Sequence, residues 1–80
     1  MIDLSEYRAY EVRLRGADAE VRAVIRRLQA EAAMSPREAA RRRWWVQRHL
    51  RRGLTPDAVL ELACGRPLAP EMRRVLEGQQ

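Results

Sequence analysis

Arg37, Arg41, Arg48 and Arg52 stand at intervals of four, seven and four residues, with Trp44 and Trp45 between them. Each residue of an α-helix advances about 100° around its axis, so this spacing returns the guanidinium groups to one side. Guanidinium forks neutralise phosphates and carboxylates, and they stack on flat partners. An indole among them adds a stacking surface for a base or a hot spot for a protein. The chemistry on offer is recognition, and the elements around this segment must present it to water.

The charge distribution points to the same segment. Residues 37–52 hold Arg37, Arg41, Arg42, Arg43, Arg48, Arg51 and Arg52 against the single acid Glu38. That is a local net of +6 in a chain whose net charge is +5, so everything outside the window sums to −1. All sixteen basic residues are arginine. The total fits an Ala- and Arg-rich composition bias, whereas the placement is an electrostatic footprint.

Bond-making chemistry has little to work with. Ser5 and Ser35 both read as helix caps or their neighbours, and no nucleophile–His–acid set, glycine-rich phosphate loop or carboxylate pair is present. His49 is the one histidine and Cys64 the one cysteine, too few ligands for a zinc site. His49 is expected to be a partly buried, hydrogen-bonded imidazole beside Trp45, and Cys64 a small core residue. The reading is a non-enzyme without metal or cofactor. No apolar run approaches the roughly 18 residues of a membrane span. The opening MIDLSEYR has acids where a leader wants bases, so a cytoplasmic protein is expected.

Eighty residues allow one domain, 1–80. With no Phe, its core must come from Leu, Val, Ile, Met, Ala and some of the four Trp and Tyr rings. Asp3 and Glu6 have capping-box spacing, and Gly16 can end a first helix. Residues 10–15 alternate like a strand as well, so residues 4–15 admit either element. In the next segment Val21, Val24, Ile25, Leu28 and Ala32 share one helical face, with Arg22, Arg26, Arg27 and Glu31 as a solvated opposite face. Ser35, Pro36 and Glu38 start a helix expected to run unbroken to Arg52 and stop at Gly53. Thr55 and Pro56 start another that ends near Gly65, and a last helix runs from Pro70 to Gly78 with Met72, Val75 and Leu76 inward. The expected architecture is all-α, a compact bundle of four or five short helices joined by tight turns.

On a continuous helix through residues 36–52, Ala39, Val46 and Leu50 fall within about 20° of one core-facing line. Arg37, Arg41, Arg48 and Arg52 lie within about 40° of the opposite pole, and Trp44 projects among them at about 140°. Trp45, at about 240°, is the ring a neighbouring helix covers more readily. Trp44 is therefore the expected exposed ring.

Residues 53–78, GLTPDAVLELACGRPLAPEMRRVLEG, resemble the helix-turn-helix of small phage-type repressors. The resemblance covers about a third of the chain. It departs from the family where Leu60 and Cys64 replace the small residue and turn glycine, with Gly65 one position late. What it implies is DNA binding with Arg73 and Arg74 on phosphates, and with no Gln, Ser or Asn on the second helix to read base edges.

Together these readings predict a nucleic-acid-binding accessory or regulatory protein. Its contacts would be Arg37, Arg41, Trp44, Arg48, Arg51 and Arg52, supplemented by Arg73 and Arg74, and its partner nucleic acid or a nucleoprotein complex. The alternative is an inhibitor or adaptor meeting an acidic protein surface through the same face. In general type it is similar to small phage-encoded inhibitors, anti-CRISPR proteins among them. A homodimer packed through Trp44 is a third expectation.

Overall fold

The computed structural model describes residues 4–78, and all regular secondary structure among them is helical. Six helices follow one another: α1 Leu4–Leu14, α2 Ala19–Glu31, α3 Pro36–Arg41, α4 Arg43–Arg52, α5 Pro56–Ala63 and α6 Pro70–Glu77. The segment that admitted helix or strand is helix α1. Asp3 of its expected capping box lies outside the described residues. Glu6 bonds elsewhere, accepting from the Arg37 backbone N–H at 2.9 Å.

The cap signals act locally as their chemistry dictates. Ser35 Oγ accepts from the Glu38 N–H at 3.1 Å, Thr55 Oγ1 accepts from the Ala58 N–H at 3.2 Å, and Pro36 and Pro56 open the two helices. Asp18 has the extended backbone of an N-cap but makes no side-chain cap bond. Gly53 closes α4 with φ +107°. The Gly53 N–H donates to the Leu50 carbonyl and the Leu54 N–H to the His49 carbonyl, both at 3.1 Å, the paired bonds of a Schellman motif.

The helix expected over 36–52 is two helices. At Arg42 the backbone turns to φ −83°, ψ 0°, and its N–H reaches back only three residues to the Ala39 carbonyl at 3.0 Å. No proline or glycine sits there; α3 packs chiefly on α1 and also on α2, while α4 packs on α2 and α5. Ala39 and Ala40 are both buried, and their short side chains let the backbones approach. Helix α2 is central, touching α3, α4 and α5, and its Val21, Val24, Ile25 and Leu28 are all buried as expected. Leu14, Val46, Leu54, Val59 and Leu60 complete the core.

Two expectations shift at the periphery. Helix α6 contributes no buried residue, and Met72, Val75 and Leu76 are only half-covered. Cys64 is likewise half-buried, as the C-cap of α5. The arginines of α2 are more than a solvated face. Arg22 donates from Nη2 to the Leu14 carbonyl at 2.7 Å and from Nε to the Ala17 carbonyl at 3.2 Å, which caps the C-terminal end of α1. Arg27 joins Glu31 (2.7 Å) to Asp57 (2.8 Å), linking α2 to the start of α5.

Among the described residues, one outside glycine has positive φ: Ala33, at +53°, in the turn after α2. A Cβ in that left-handed region costs roughly 1–2 kcal/mol. Ala33 is exposed, so little packing is lost by trimming it. Ala33→Gly is expected to raise unfolding stability by about 1 kcal/mol and Gly53→Ala to lower it by about 1–2 kcal/mol, read as opposite shifts of the urea midpoint.

Candidate nucleic-acid interface

The break at Arg42 re-aims α4. With α3 and α4 as separate rods, the buried residues of α4 are Val46 and His49, while Leu50 and Trp45 are half-buried. The core-facing line thus lies between Val46 and His49 instead of along Val46 and Leu50, a rotation of about 50° from the expected one. That rotation carries Trp44 to the pole opposite the core. Trp44 keeps 61% of its surface in water, and Trp45 is the covered ring, as expected.

Trp44 is nonetheless held. The Arg43 guanidinium carbon sits 4.3 Å from the centre of the Trp44 ring, a cation–π stack. Arg43 is itself anchored, donating from Nη1 to the carbonyls of Arg13 (2.8 Å) and Arg15 (2.7 Å) at the end of α1. A fixed cation on one side of an indole restrains the ring before any partner arrives.

Beside the ring, Trp44, Gln47, Arg48, Arg51 and Arg52 line a shallow depression of about 400 Å³. These positions recur at three and four residues along α4, so one helix builds the whole face. Gln47 and Arg51 pair across one turn. In the amide orientation that satisfies both, Gln47 Oε1 accepts from Arg51 Nη1 and Nη2 at 3.3 and 3.1 Å. Arg43, stacked on the indole, is not among the residues that line the depression.

The structure therefore joins Trp44, Arg48, Arg51 and Arg52 and separates the rest of the expected set. Arg37 is half-buried and turned to α1, with Nε 3.9 Å from Glu6 Oε1. Arg41 is exposed on α3, outside the depression. Arg73 and Arg74 are exposed on α6 and do not line it either. Gln47 and Arg43 had no assigned role in the sequence. Gln47 falls within about 60° of Trp44 on the wheel, so position alone could have found it. Arg43 falls about 40° from the expected core line, where a cation needs acceptors.

His49 sits under this face with its ring edge-on to Trp45, centroids 4.7 Å apart. It is 8% exposed, and its Nδ1 has no hydrogen-bond partner, which corrects the expectation of a bonded imidazole at that atom. Burial, followed by the nearby charges of Arg52 and Arg48, holds its pKa below the ordinary 6.5. The folded state then resists a proton that the unfolded chain accepts, so stability is complete above about pH 6.5 and declines as pH falls toward the depressed value. Glu31, whose bonds from Arg27 push its pKa below 4.5, adds its own loss only in more acid solution. Melting temperatures between about pH 7 and 5 should fall for the native chain, and this slope should flatten in His49→Gln.

Among the described residues no three His, Cys, Asp or Glu side chains are grouped so as to hold a metal ion. No described helix is long and apolar enough to cross a membrane. In the comparisons with known proteins, no family model, curated protein or solved structure matches the chain.

Proposed function

We propose that the chain is a small non-enzymatic nucleic-acid-binding module, of accessory or regulatory type, whose contact face is the outer side of α4. The observation that carries this reading is the exposed Trp44 ring, braced by Arg43 and opening on a hollow lined by Arg48, Arg51 and Arg52. Exposed aromatic area is costly in water unless a partner covers it. Guanidinium groups around it select a partner that is both flat and anionic, and nucleic acid supplies both features.

In this reading Arg48, Arg51 and Arg52 neutralise phosphates, Arg41 extends the positive field from α3, and Trp44 stacks. Arg73 and Arg74, on the second helix of the repressor-like segment, provide a separate phosphate contact. Arg37 stands apart from this face, its backbone N–H bonded to Glu6 and its Nε 3.9 Å from the same carboxylate. Arg43 braces the ring in this reading, its Nη1 already bonded to two carbonyls of the chain.

Titration of the protein with labelled DNA and RNA across a salt series tests the proposal. With three arginines engaged, log affinity should fall with log salt at a slope of about −2 to −3. The Arg48→Glu, Arg52→Glu double variant should bind at least roughly tenfold more weakly and show a slope smaller by about 1–2. Unchanged affinity of that variant for both nucleic acids would sink the proposal. The face would then be assigned to an acidic protein surface.

A further inference from the structure

We infer that this face binds unpaired nucleotides: a base of a single strand stacks on Trp44 while its flanking phosphates lie on Arg48, Arg51 and Arg52. The inference rests on the nucleic-acid reading above and names which form of nucleic acid the face takes.

The first ground is the ring. A duplex offers a protein phosphates, sugars and base edges, while the faces of its bases are stacked on one another. An indole gains stacking energy only from a base that has left the stack. Trp44 is on the pole of α4 opposite the core, with Arg43 stacked on its ring and the hollow beside it. A base entering the hollow meets a ring already polarised by a cation. The hollow, at about 400 Å³, is large enough for one nucleotide and too shallow to enclose a ligand.

The second ground is the charge pattern around the hollow. Arg48 and Arg52 follow Trp44 by one and two turns, about 6 and 12 Å along the axis, on a line that one strand can track. On the other side a second depression, of about 170 Å³, shares Gln47 and Arg51 with the first but is flanked by Asp18 and Glu20 at the start of α2. Phosphates are repelled at that acidic end. The carboxylates there can instead accept from, and the Gln47 amide donate to, the Watson–Crick edge of a base, which only an unpaired base leaves free. The positive strip is thus bounded by acids on one flank. That suits a single backbone with its bases turned toward Gln47, and not the two backbones of a duplex.

The experiment compares three probes: oligothymidylate of about 12 nucleotides, oligouridylate of the same length, and the dT·dA duplex. Binding is read by fluorescence anisotropy at fixed salt, with tryptophan emission recorded in parallel. Both single strands should bind at least tenfold more tightly than the duplex and quench the emission. Trp44→Leu, which keeps apolar bulk without a ring, should weaken single-strand binding by roughly tenfold to a hundredfold and leave duplex binding little changed. Because Trp44 is exposed, this variant should keep the native far-UV spectrum and melting temperature; Trp44→Tyr, which keeps a ring, should retain most of the single-strand affinity. A duplex bound as tightly as the single strands overturns the inference and leaves the nucleic-acid reading standing. A single-strand preference that survives Trp44→Leu also overturns it. Binding to none of the three probes overturns both.

Discussion

Two arginines from different helices converge on the C-terminal end of α1. Arg22 of α2 takes the carbonyls of Leu14 and Ala17, and Arg43 at the start of α4 takes those of Arg13 and Arg15. The last carbonyls of a helix have no partner within it, and they form the negative end of its dipole. A guanidinium satisfies both conditions. The rest of the arrangement depends on this convergence, because α1 is only weakly amphipathic and buries a single residue, Leu14. Without the two caps, α1 has its packing on α3 and the Glu6 contact with Arg37 to hold it. Each bond is partly solvated and so worth little singly, about 1 kcal/mol. Their joint effect is to fix where α1 ends and where Arg43 lies. That in turn fixes Trp44.

Seen this way, the tryptophan face is a product of the fold rather than of one helix. At Arg42 the chain breaks, α3 packs chiefly on α1 and α4 on α2 and α5, and the outer side of α4 faces away from the core. An exposed indole and clustered positive charge both work against stability in a domain whose core is small. The tolerated cost is compatible with a surface kept for a partner. The acidic flank at Asp18 and Glu20 gives that surface a boundary, since it lies across Gln47 and Arg51 from the arginine strip.

Much of the fold was legible in the sequence because its signals are local. Ser35, Thr55 and Gly53 act within one turn of themselves, and Val21, Val24, Ile25 and Leu28 mark the face of α2 whatever lies opposite. The break at Arg42 was not legible, since nothing in Ala39-Ala40-Arg41-Arg42-Arg43 disfavours a helix and α1, the main neighbour of α3, is distant in sequence. Its consequence was a misplaced core line, with Leu50 set where His49 belongs. The exposed Trp44 survived that error because the rotation moved it further from the core. The contact of Arg37 with Glu6 was not legible either, since the two are distant in sequence and close in space. The role of Arg43 was hidden for the same reason: its acceptors are backbone carbonyls, which carry no sequence identity.

What matters most is where on the molecule the contact lies. The two indole N–H resonances in a proton–nitrogen correlation spectrum, assigned with Trp44→Phe, report it directly when a single-stranded oligonucleotide is added. The Trp44 indole should shift, along with the Gln47 side-chain amide, while the Trp45 indole, packed on His49, should stay in place. Shifts confined to α6 or α1, with the Trp44 indole unmoved at saturation, would contradict a contact on α4.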